Sequence, residues 1–159
     1  MQGDHTLMAK FELELPTDII NTIQKVYDNS DEIFGEMTRA GADVVAHNIR
    51  ETAPDVIKPY VRKTKTYKTP SDDGINTKAY ISGYIPFSGN RTKFSRAGGN
   101  GKTYVTSKGV PADFLAMLYE YGRSTAPFPK HPFLRKAFKR KEIEEAMLKT
   151  QSKASGGIL

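Results

Sequence analysis

Asp31–Pro54 reads DEIFGEMTRAGADVVAHNIRETAP, and the spacing of its apolar residues decides the fold class. At about 100° per residue, Ile33, Phe34, Met37, Ala40, Gly41, Val44 and Val45 fall on one arc. Glu32, Glu36, Arg39, Asp43, His47 and Arg50 fall on the opposite one. Ser30 is placed to cap this helix, Asp31, Glu32 and Glu36 suit the positive end of its dipole, and Ala53-Pro54 ends it. A long amphipathic helix is therefore expected over about Asp31–Thr52, with its apolar side forming the core. Gly41 costs about 1 kcal/mol against Ala inside a helix, so another backbone is expected close to it. Asn48, on the edge of the apolar side, reads as a satisfied buried amide.

Upstream, Phe11, Leu13 and Leu15 alternate with Glu12 and Glu14, the period of a strand with one wet face. Pro16-Thr17-Asp18 then gives a stop and an N-cap, followed by a short helix with apolar Ile19, Ile20, Ile23, Val26 and Tyr27. Residues 1–9 are polar, unpatterned and read as a flexible tail.

Downstream, Tyr60 to about Pro86 is rich in Thr, Tyr and Val and reads as two strands joined by the turn Ser71–Gly74. Residues 88–103, SGNRTKFSRAGGNGKT, contain four Gly, four Lys/Arg and no acid, and read as a long mobile loop. A short strand is expected at Lys102–Ser107. Asp113–Tyr121 reads as a short helix with Phe114, Leu115, Met117, Leu118 and Tyr121 over more than half its circumference, closed by Gly122. A final helix is expected from Pro132 to about Lys149. Its second half is not cleanly amphipathic, because Lys141 and Glu145 share the side of Phe133, Leu134, Ala137 and Phe138. The expected architecture is α+β: an antiparallel sheet on one long helix, with a short helix and a C-terminal helix. One domain is expected over residues 10–150, with 151–159 a flexible tail.

The chain has 159 residues, enough for one domain with a sizeable core. It has no Cys, which removes disulfides and thiolate chemistry and fits a reducing compartment. No apolar run reaches the roughly 18–20 residues of a membrane span, and the N-terminus carries no signal pattern. Charge is unevenly spread. Residues 1–55 hold 4 Lys/Arg against 11 Asp/Glu, net −7, whereas residues 56–141 hold 18 against 4, net +14. Such asymmetry points to a partner of opposite sign, either nucleic acid or the acidic part of another copy.

No catalytic, cofactor-binding or metal-ligating set is expected. Asn100-Gly101-Lys102-Thr103 looks like the end of a phosphate-binding loop, but that motif needs Gly where Arg96 stands and a helix where Tyr104-Val105-Thr106 suggests a strand. His5, His47 and His131 are scattered, Asp72-Asp73 is a turn pair, and Ser124 and Thr125 have no nearby base. Glu120 is expected to pair with Arg or Lys or to cap a loop. The run Lys58, Arg62, Lys63, Lys65, Lys68, with Tyr60 and Tyr67 interleaved, reads first as a solvated strand face. Its alternative is a non-specific nucleic-acid surface shared with residues 88–102.

Taken in order, the acidic helix ending in Ala53-Pro54, the β section, Tyr-Glu-Tyr-Gly (Tyr119–Gly122), the proline-rich connection and Pro-Phe-Leu-Arg (Pro132–Arg135) resemble a known family. It is that of the neck, or tail-completion, proteins of long-tailed bacteriophages. The resemblance covers roughly residues 10–150; the sequence departs from it in having no Thr-Gly step after Ala53-Pro54. It implies a non-enzymatic virion protein of a phage or prophage, located in the neck or tail and in the host cytoplasm during assembly. The expected partners are further copies in a homo-oligomeric ring, head-connector or tail-tube proteins, and packaged double-stranded DNA. Glu120, Tyr121, Arg123, Phe128, Phe133 and Arg135 are then expected at a partner interface. Lys58, Arg62, Lys63, Lys65, Arg91, Lys93, Arg96 and Lys102 are expected to face DNA. The stiff TAPFPKHP segment either sets Phe128 and the last helix at a fixed offset for a rim contact or simply shapes a surface loop. Complementary faces for a head-to-tail ring would follow if the acidic and basic parts lie on opposite sides of the subunit.

Overall fold

The computed structural model describes residues 16–71, 74–123, 128 and 130–156. The strand expected at Phe11–Leu15, the Asp72-Asp73 pair, Ser124, Thr125, Pro127 and Pro129 lie outside them. The chain divides into two units, one ending at Ser30 and the other beginning at Asp31. In the first, α1 (Thr17–Asp28) starts where the Pro16 carbonyl accepts the N–H of Ile19, and ends at Asn29, whose amide donates to the Lys25 carbonyl. Its apolar Ile19, Ile20, Ile23 and Tyr27 are all exposed.

The second unit is α+β. Its spine is α2 (Ser30–Thr52), the long helix expected from the sequence. The face it buries is turned from the expected arc: Gly35, Gly41, Ala42, Ala46, Asn48 and Ile49 go inward with Ile33, while Phe34 is half exposed. Small residues let neighbouring elements come close, and that outweighs burying the largest side chains. Ala46, Ile49 and Ala53 share one core with Ile57, Val61, Ala116, Phe133 and Ala137.

The strands pair antiparallel as four two-stranded ladders. β1 (Val61–Lys63) pairs with β4 (Ala79–Ile81), and β2 (Tyr67–Lys68) with β3 (Ile75–Asn76). Together they make one long hairpin with a bulge. Thr64 still bonds to Lys78, whereas Tyr67 faces Asn76, so Lys65 and Thr66 stand against the single Thr77. The hydroxyls of Thr66 and Thr77 meet at 3.3 Å, and Thr77 meets Thr38 of α2 at 3.2 Å, which fastens the bulge to the helix.

β5 (Tyr84–Ile85) pairs with β8 (Val110–Pro111), and between them β6 (Phe94–Ala97) pairs with β7 (Thr103–Thr106). The strand expected near Lys102–Ser107 is therefore present. The reading of 88–103 as a loop is corrected, because residues 94–97 form the other arm of a hairpin closed by Gly98 N–H to Lys102 O at 2.7 Å. Phe94 at its root is buried, whereas Ser95–Ala97 and Thr103–Val105 are exposed.

α3 (Ala112–Tyr121) turns Ala112, Ala116 and Glu120 inward, and Gly122 at φ 77° closes it with its N–H on the Leu118 carbonyl. The single last helix expected from Pro132 is two. α4 (Leu134–Ala137) stops at Phe138-Lys139, whose extended ψ angles end it, and α5 (Arg140–Ala154) follows. The break removes the conflict seen in the sequence. In a fresh register Ile143, Ala146, Met147 and Thr150 form one inward stripe, free of Lys141 and Glu145. Gly41 lies under that stripe, so its close neighbours are the side chains of Met147 and Ile143, not a backbone. Asn48 is buried and donates to Glu142 at 3.0 Å. Residues 151–154, expected to be tail, complete α5.

Candidate interaction surface

Tyr-Glu-Tyr-Gly and Pro-Phe-Leu-Arg meet in one device. Glu120, 1 % exposed, accepts the N–H groups of Phe133 at 2.8 Å and Leu134 at 2.9 Å through one carboxylate oxygen. Its other oxygen takes Arg135 Nε at 2.7 Å. Burial pushes the Glu120 carboxyl up, but the Arg135 guanidinium and the backbone N–H groups of Leu134, Phe133 and Arg135 outweigh it and hold it below the usual carboxylate value. On either side, Tyr119 meets Phe128 edge-on at 4.9 Å and accepts His131 N–H, while Arg135 lies over the Tyr121 ring at 5.9 Å. Glu120 and Phe133 are interior. They are corrected from interface residues to the parts that hold α3 to α4. Tyr121, Arg123 and Arg135 are exposed and Phe128 is half-buried against Tyr119.

The basic residues fall into two groups. In the first, Lys58 pairs with Asp55 at 2.7 Å, Lys63 with Asp43, and Lys68 with Asp31. Arg50 of α2 reaches the Val61 carbonyl. The basic strand thus lies along the acidic helix of the same chain. The expectation that the two charge blocks occupy opposite sides fails for this strand, and Lys58 and Lys63 are already matched by acids. Arg62 and Lys65 are exposed on the same hairpin.

The second group is different. Gly74–Ala112 contains six Lys/Arg and no Asp/Glu. At the root of the β6–β7 hairpin, Arg91 lies over the rings of Phe87 (5.9 Å) and Phe94 (5.6 Å), and Arg96 over those of Tyr104 (5.9 Å) and Phe114 (5.7 Å). Phe94 and Phe114 touch edge-on at 5.0 Å, which joins the two stacks. Both arginines, with Lys93 and Lys102, are exposed. Sequence reading placed these four cations together and missed what holds them. Arg96 and Tyr104 are cross-strand partners, visible only once 94–97 is paired with 103–106.

An apolar face lies elsewhere on the second unit. Two open grooves, of about 460 and 270 Å³, flank Ala79-Tyr80. Phe138, 65 % exposed, borders one, and the exposed Met117 borders the other. Among the described residues no group of His, Asp and Glu is placed to hold a metal ion, and no helix is long and apolar enough to cross a membrane. No protein family, curated protein or solved structure matches this chain.

Proposed function

We propose that this chain is a non-enzymatic structural protein of a tailed-phage or prophage virion, a subunit of a homo-oligomeric ring that joins head to tail. The observation that carries the reading is the apolar face around Tyr80, Met117 and Phe138, with a groove on each side of Tyr80. Exposed apolar patches beside open grooves mark protein–protein contact, which suits a subunit that works by assembly. The resemblance supports the same reading, and its two motifs act together through Glu120. Neighbouring copies and head-connector or tail-tube proteins are the partners it implies.

The test is assembly in a phage from which this gene is removed. Filled heads and finished tails should accumulate unjoined, and supplying the protein should join them. Normal yields of joined, infectious particles in its absence would overturn the proposal.

A further inference from the structure

We infer that the root of the β6–β7 hairpin binds the phosphate backbone of double-stranded nucleic acid, with Arg91 and Arg96 as its two anchors. The inference does not rest on the ring. A guanidinium laid on an aromatic face loses little further freedom when it takes an anion, and its planar fork matches phosphate oxygens. Here two such stacks are joined through the Phe94–Phe114 contact, so both anchors are backed by one aromatic cluster. Lys93 just before β6 and Lys102 at the hairpin turn add charge along the same ribbon, and no acid occurs within Gly74–Ala112 to neutralise any of the four.

The chemistry separates nucleic acid from an acidic protein. Lysine is depleted at protein–protein interfaces, whereas phosphate backbones take Lys and Arg alike. It also separates duplex from single strand. Single strands are held by stacking bases on open aromatic faces, and the rings of Phe87, Phe94 and Tyr104 each already carry a guanidinium. What the hairpin offers is charge at fixed positions on a narrow, exposed ribbon.

The test is a titration of the full chain against a mixed-sequence duplex of ~30 base pairs, across salt from about 50 to 200 mM. With four phosphates engaged, log K should fall against log salt with a slope of about −3.6, roughly a 100-fold loss over that range. Arg91→Gln with Arg96→Gln should make the slope shallower by about 1.8. Lys93→Gln with Lys102→Gln, which leaves both stacks intact, should do the same, so a loss of folding in the first variant does not decide the matter. Lys63→Gln should change nothing. The inference is overturned by slopes that ignore both double variants, by a single strand bound as tightly as the duplex, or by absence of duplex binding at ~50 mM salt. Binding of polyglutamate in place of DNA would equally overturn it, and would assign the patch to an acidic polypeptide.

Discussion

Glu120 is a buried carboxylate whose three bonds all serve the chain that follows it. Removing it in Glu120→Ala leaves the buried Phe133 N–H and the Leu134 N–H without an acceptor and strips Arg135 of its partner. Losses of this type cost about 3 kcal/mol, which for a chain of this size lowers Tm by roughly 6–12 °C. Glu120→Gln keeps one acceptor oxygen and should cost about half as much. The carboxyl also sets a pH dependence. Its folded pKa lies below the ordinary 4.5, so the unfolded chain binds the proton more readily in acid. The stability it contributes is therefore full above about pH 4.5 and is lost as pH falls through the lowered value. Denaturant titrations of wild type and Glu120→Gln should differ by a constant amount near neutrality and converge in acid. A gap that holds steady below the ordinary carboxylate range would mean that the charge of Glu120 does not matter.

Among the elements, the β5–β8 ladder depends most sharply on one residue. Gly109 has φ +135°, and a Cβ there would run into the carbonyl oxygen of Ile85 on the paired strand. Gly109→Ala should cost about 2–3 kcal/mol or more, from backbone strain and the displaced carbonyl together. Gly99→Ala, which meets open space in the hairpin turn, should stay within about 0.5 kcal/mol of wild type. Equal denaturation midpoints for the two variants would contradict this account of Gly109. The same elements show how far the sequence could be read. α2, α3 and the Gly122 cap were legible because helical period and capping chemistry are local signals. The face each helix buries was not, since Ala46, Ala116 and Ala137 are buried in a core shared with Ile57, Val61 and Phe133 from other parts of the chain, which one segment's periodicity does not carry. The β6–β7 hairpin was hidden by its turn. Gly98, Gly99 and Gly101 read as loop, yet a Gly-rich turn between FSRA and TYVT is also a hairpin signal. The split of α4 from α5 was half visible. Lys141 and Glu145 on an apolar side signalled that one continuous helix was wrong without showing where it breaks. Of the candidate site, the cations were legible, but the stacking that holds Arg91 and Arg96 depends on cross-strand pairing and on Phe114 from α3, both non-local.

At the largest scale, the basic strand of the second unit lies along the acidic α2 and not on a face opposed to it. Lys63 and Lys68 are matched by Asp43 and Asp31, and such exposed pairs contribute little, with a median of about 0–1 kcal/mol each. The association proposed above would therefore draw on the apolar face. Phe138 borders the larger groove and belongs to neither the Glu120 device nor the shared core. Burying a Phe side chain contributes about 1.5–3 kcal/mol, so Phe138→Ser should weaken association roughly 10- to 100-fold. Thermal stability should change little, because the Phe138 side chain is exposed in the single chain. Light scattering or sedimentation over a range of concentrations reads the first effect, and a melting curve reads the second. The wild type should shift from monomer to higher oligomers as concentration rises, and the variant should need more protein to do so. A tight two-fold dimer, unmoved by the substitution, would show that Phe138 lies outside the contact. It would also weigh against a ring, whose subunits must meet through two different surfaces.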